Sequence, residues 1–199
     1  NDLLYVCDLT HIKVFNIETQ VMIQSFSFQD EGVTLLNDIT DLDSDGETVY
    51  VTATRTNRIF KINIFSGEKE EVVVGGVALK QTNGLALDTA NNLLYMVEFG
   101  ESDGSGARIV KIDLEDNSGQ LLGGGTTGLL YDGVALVDTT LYVSDWSHRL
   151  FSLDLTDPNS TPTQLQPNLN GPADILYDSE FNRIVIPSVT AHEIVFYDL

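Results

Sequence analysis

Basic residues are scarce in this chain. Lys and Arg together number 10, against 30 Asp and Glu, for a formal net charge of -20. Nucleic-acid phosphates are gripped by Lys and Arg, so this shortage argues against nucleic acid as a partner, and equally against anionic membranes. An acidic, well-solvated surface that draws cations is what remains. Cysteine is nearly absent too. Cys7 is alone, which rules out an internal disulfide, and in the run "LLYVCD" it reads as a small core residue. No apolar run approaches the roughly 18 residues of a membrane span. No stretch sustains a helical period between caps. No signal peptide is visible, and a chain starting at Asn1 rather than Met leaves that question open.

Hydrophobic residues, 42% of the total, are plentiful and fall in short runs that recur. Five segments end alike: "HIKVFNI", "RIFKINI", "RIVKIDL", "RLFSLDL" and "EIVFYDL". Each follows another run: "LLYVCD", "TVYVTAT", "LLYMVEF", "TLYVSDW" or "RIVIPSV". Tyr5, Tyr50, Tyr95, Tyr142 and Val185 align, at spacings of 45, 45, 47 and 43. A third run precedes four of these, as in "GLALD" and "GVALVD", and a weaker fourth follows four of the five. Val, Ile, Leu, Tyr and Phe dominate the runs, and Gly, Asp, Asn and Ser bound them, which is strand composition. Four strands every ~45 residues is the mark of a β-propeller blade.

The chain therefore reads as a single all-β propeller domain over 1–199, with four-stranded antiparallel blades and about five blades present. Blades fall near 37–75, 83–123 and 132–167, flanked by an incomplete first blade (1–28) and an incomplete last one (173–199). With strands lettered A to D outward from the axis, the first blade lacks A and the last lacks D. The favoured arrangement is part of a six-bladed ring. The alternatives are a compact five-bladed ring with two three-stranded blades, or open edges filled by another chain through strand addition.

In a propeller the starts of the A strands converge on the mouth of the central channel. Four of them begin Asn37-Asp38, Asn83-Gly84, Asp132-Gly133 and Ala173-Asp174. Three of the four leading residues offer a side-chain oxygen, the donor type that hard cations want. Asn-Gly and Asp-Gly are also ordinary turn pairs that need no ligand, and the residues alone leave both readings open. Around the rim, Asp8, Glu98 and Asp145 end B strands, Trp146 follows, and "FGESDGSGAR" is the longest B-to-C connection, a candidate lid. His11, His148 and His192 precede C strands and read as exposed turn residues rather than a zinc site. The acidic run "DLDSDGE" mimics part of a calcium loop, but Thr52 stands where that loop needs a bidentate Glu, so it reads as an A-to-B hairpin turn. "LLGGGTTG" has no Lys and opens no helix, so it is no phosphate loop. Asn159-Ser160-Thr161 fits the glycosylation pattern, which matters only in a secreted eukaryotic protein.

"LNDITDLDSDGETVYVTATRTNRIFKI", "TNGLALDTANNLLYMVEFG" and "YDGVALVDTTLYVSDW" resemble successive blades of the gluconolactonase / senescence-marker-protein / luciferin-regenerating-enzyme-like family. "GPADILYDSEFNRIVIPS" is similar to the closing blades of its bacterial, often exported, members. The resemblance spans nearly the whole chain. It implies a six-bladed propeller with a divalent cation in the channel, calcium by preference and zinc or magnesium otherwise. By the family's Asn-Gly and Asp-Gly motifs, Asn83 and Asp132 are implied as metal ligands. By its Asn-Asp motif, Asn37 is implied as a substrate contact; Asp38 beside it, and Glu98, Asp145 and Trp146 by their place on the rim, are the further substrate-binding candidates. Asp132 is also the candidate catalytic base. The family's first-blade Glu ligand has no counterpart in this sequence. The implied activity is hydrolysis of a lactone or binding of a small polar ligand, in an extracellular or periplasmic setting. The alternative is a non-enzymatic binding or structural propeller that self-associates, or recruits a second chain, through open edge strands.

Overall fold

The computed structural model describes residues 3–100, 106–124 and 130–199. The candidate lid and the Gly-rich segment fall partly outside them. Eighteen strands run in chain order as β1 (Leu3–Asp8), β2 (His11–Asn16), β3 (Val21–Ser27), β4 (Leu36–Ile39), β5 (Thr48–Ala53), β6 (Arg58–Asn63), β7 (Lys69–Glu71), β8 (Thr82–Asp88) and β9 (Leu93–Glu98), followed by β10 (Ile109–Asp113), β11 (Gly119–Leu122), β12 (Tyr131–Val137), β13 (Thr140–Asp145), β14 (Arg149–Asp154), β15 (Thr163–Pro167), β16 (Leu176–Asp178), β17 (Arg183–Ser188) and β18 (Glu193–Asp198). They form five antiparallel sheets: β1–β3, β4–β7, β8–β11, β12–β15 and β16–β18. The arrangement is an all-β, five-bladed propeller, and no α-helix occurs among the described residues. The middle three sheets have four strands and the outer two have three.

Alternation of side chains along each strand builds the core, because successive residues point to opposite faces. In β9, Leu94 and Met96 pack towards the preceding blade, while Tyr95 and Val97 pack towards the following one. Four hydrophobic clusters result, one between each pair of successive blades. A blade covered on both faces needs apolar residues at nearly every position, which is why the runs look continuous in the sequence. Each fully buried Val, Leu or Ile here contributes roughly 1.5–3 kcal/mol of burial.

The outer blades are covered on one face only. Leu3, Tyr5 and Cys7 of β1 pack on the second blade, while Leu4 and Val6 are exposed. At the other end Val195 and Tyr197 of β18 pack on the fourth blade, while Ile194 and Phe196 are 58% and 51% exposed.

Candidate functional site

The same irregularity recurs in the A strand of each of the last four blades. From Leu36 to Ile39 three steps of β4 oppose the two steps from Ala53 to Val51 of β5. Thr82 to Leu85 and Tyr131 to Val134 repeat this against β9 and β13. In the last blade, Pro172 to Leu176 takes four steps against three from Ser188 to Val185. One extra residue on the bulged strand bends it and re-aims a side chain. The bulges carry the pairs 37–38, 83–84, 132–133 and 173–174 singled out by the repeat.

Asn83-Gly84 and Asp132-Gly133 lie inside β8 and β12 rather than in turns. Their glycines answer to crowding at the axis. A Cβ on Gly84 would stand 2.4 Å from the Asp132 carbonyl oxygen, and one on Gly133 would stand 2.5 Å from the Ile175 nitrogen. Neighbouring A strands touch backbone to backbone at these points. Hydroxyls of the B strands satisfy the bulged amides: Asp38 N donates to Thr52 Oγ1 at 3.0 Å, and Gly133 N donates to Ser144 Oγ at 2.8 Å. Ser144 in turn donates to the Ala173 carbonyl of the next blade at 2.6 Å.

A hydrogen-bonded chain crosses three blades. Asn37 Nδ2 donates to Asn83 Oδ1, Asn83 bonds Asp132, and Trp146 Nε1 donates to Asp132 Oδ2. Asn83 is buried, Asp132 half-buried and Asn37 exposed. Phe99 meets Trp146 edge to face at 6.4 Å, giving the mouth an aromatic wall. Burial pushes the Asp132 carboxyl up to about 6, Asp174 adds to the rise, and the Trp146 and Asn83 bonds oppose it. It is therefore ionised at neutral pH but basic enough to take a proton there.

Behind this chain, Asp38 and Asp174 face each other across the axis with a hydrogen bond between their carboxyl groups. Such a bond requires a shared proton. Burial raises both acids, and for Asp38 the charge of Asp174 adds to it. Asp38 also accepts from Leu85 N at 2.5 Å and Ile39 N at 2.8 Å, and Asp174 accepts from Ile175 N at 2.9 Å. Cys7 lies close by, its thiol pushed up to about 12 by burial and by these two acids, so it carries no reactive thiolate.

Glu98 and Asp145 stand apart from this cluster. Both are fully buried at the ends of β9 and β13. Glu98 pairs with Arg108 and accepts from Lys80 N at 2.7 Å. Asp145 pairs with Arg149 at 2.7 Å and accepts from Leu130 N at 2.8 Å. Each pins the segment leading into the A strand of its own blade. Asp8 pairs with Lys13 at the surface. The acidic "DLDSDGE" run is a turn in which Asp45 accepts from Glu47 N and Thr48 N, both at 2.8 Å. Asp38, Asn37, Asn83, Asp132 and Trp146 thus come together, while Glu98 and Asp145 serve the scaffold. Asp174, marked in the sequence only as part of an A-strand start, joins the site, as do Thr52 and Ser144, which the sequence did not offer for it.

A divalent cation can be tested against this donor set. Amide and carboxylate oxygens of Asn83 and Asp132 suit a hard cation that keeps several waters. Among the described residues no three His, Cys, Asp or Glu gather as a metal site, which is unlike zinc. Asn83 Oδ1 already accepts from Asn37, so Asn37 would release it on binding.

No family model matches this chain, and no curated protein matches it. Among solved structures it is similar to hydrazine synthase of Kuenenia stuttgartiensis, at 14% identity and a TM-score of 0.77, covering 99% of this chain and 61% of that one. It is also similar to the dihydro-heme d1 dehydrogenase NirN, at 15% identity and a TM-score of 0.60, covering 99% of this chain and 42% of that one. The chain thus spans about three-fifths and two-fifths of these neighbours, and the likeness is one of β-propeller fold.

Proposed function

We propose that the protein binds a small polar ligand at the mouth of its channel together with a divalent cation, calcium by preference, and hydrolyses lactones there. The observation behind this reading is the bonded chain Asn37–Asn83–Asp132–Trp146, assembled from three blades at bulges in register. Asn83 and Asp132 would hold the cation, which supplies Lewis-acid polarisation of a carbonyl or a more acidic bound water. Asn37 is exposed and free to turn its amide to a ligand hydroxyl. Trp146 Nε1 donates to Asp132 Oδ2 and holds the carboxyl in place. The Asp132 carboxylate takes the role of base only while it is not holding the cation. Asp132→Ala should abolish calcium-dependent hydrolysis of simple aldonolactones and leave the fold intact by circular dichroism. Unchanged hydrolysis in that variant would remove the proposal.

A second reading rests on the exposed faces of the outer blades. Leu4 and Val6 at one end and Ile194 and Phe196 at the other are unlike surfaces, and both belong to edge strands. Pairing them head to tail would let one copy complete the next, making the protein a self-associating structural or binding propeller. Sedimentation should then show concentration-dependent assembly that Phe196→Ser weakens; a strict monomer at high concentration contradicts it.

A further inference from the structure

On the far side of the Asp38–Asp174 pair from Asn37 and Asp132 lies a cavity of about 540 Å³. Residues of β4, β8, β12 and the segment 174–177 line it, together with Val185 and Pro187 of β17. Leu85, Leu87, Val134, Leu136 and Ile175 are among the residues that line it, beside Thr40. The acid pair closes one end and Asp41 and Tyr177 line the other, three residues further along their strands, about 10 Å away.

We propose that this cavity is a second binding site, for a linear aliphatic amine whose ammonium head sits on the Asp38–Asp174 pair and whose alkyl body lies along the leucine and valine walls. Folding has already brought the two acids together at one end of the cavity, so the chain need not rearrange to present both carboxyls to one ammonium. An ammonium offers three donors, enough to bond both carboxyl groups at once. The donors from Leu85, Ile39 and Ile175 stabilise the ionised form of both acids without neutralising them. A small hydrated divalent ion suits this cavity less, because two carboxylates amid hydrocarbon replace few of its waters. Asp174 is exposed and Asp38 half-buried, so the head site can be reached. The net charge of -20 attracts a cation towards it. Asp41 at the far end favours a second ammonium, hence a diamine over a monoamine.

The experiment is calorimetric titration of the whole chain with n-hexylamine, 1,6-diaminohexane and n-hexanol, free of calcium and lactone so that it is independent of the mouth site. The amines should bind about tenfold or more tightly than the alcohol. Asp174→Asn should erase that preference, with Asp38→Asn as the second variant should the first not fold. Leu136→Trp, which fills the wall and leaves the acids in place, should weaken all three compounds. No amine binding, equal binding of amine and alcohol, or an undiminished amine preference in a folded Asp174→Asn or Asp38→Asn protein would overturn the proposal.

Discussion

Two sets of acids sit within a strand of one another and do opposite things. At the rim, Glu98 and Asp145 are fully buried, each against an arginine and a loop amide. At the axis, no Lys or Arg among the described residues pairs with Asp38, Asp132 or Asp174; burial raises all three carboxyls, and Asp174 adds to the rise of Asp38 and Asp132. The rim acids are neutralised by the fold and hold the loops that deliver each A strand. The axial acids lack such partners, and the proposed binding sites rest on that difference.

The contrast can be broken at several points. Glu98→Ala should have the largest effect, losing about 3 kcal/mol of stability in urea denaturation, because Arg108 is left without its partner. Gly133→Ala should cost about 2 kcal/mol, since its Cβ would push Asp174 and the last blade off the axis. Gly46, where a Cβ meets nothing within 4 Å but φ is +70°, should cost only about 1 kcal/mol as Ala. A pH effect of similar size comes last. Asp132 is raised from 3.8 to about 6, so the folded state holds its proton more tightly than the unfolded chain does. Its share of stability is full below pH ~4 and is lost as pH rises through about 6. Without divalent cations, that loss should be about 1 kcal/mol, after allowance for partial exposure, and absent in Asp132→Asn.

Much of the fold was legible because blade periodicity leaves strong local marks. Tyr50, Tyr95 and Tyr142 sit at one register in β5, β9 and β13, and their neighbours alternate between the two adjoining blades. The site was legible in part. Glycine serves both a turn and a close backbone approach, so Asn83-Gly84 could not reveal that Asp132 in the A strand of the next blade forces its glycine. The pairing of Asp38 with Asp174 depends on how four blades curve around the axis, which no local pattern encodes. Glu98 and Asp145 did carry a signal of their scaffold role. Arg108 immediately precedes β10 and Arg149 begins β14, each directly across the hairpin from its acid.

Trp146 is the one tryptophan of the sequence, and its indole N–H is bonded to Asp132. Its fluorescence therefore reports on the axial site without a label. Titrating calcium into the chelator-treated protein should give a saturable change in Trp146 emission, reversed by chelator and absent in Asp132→Asn. Emission that stays flat in the native protein, or that changes equally in Asp132→Asn, would contradict a cation site built on Asn83 and Asp132.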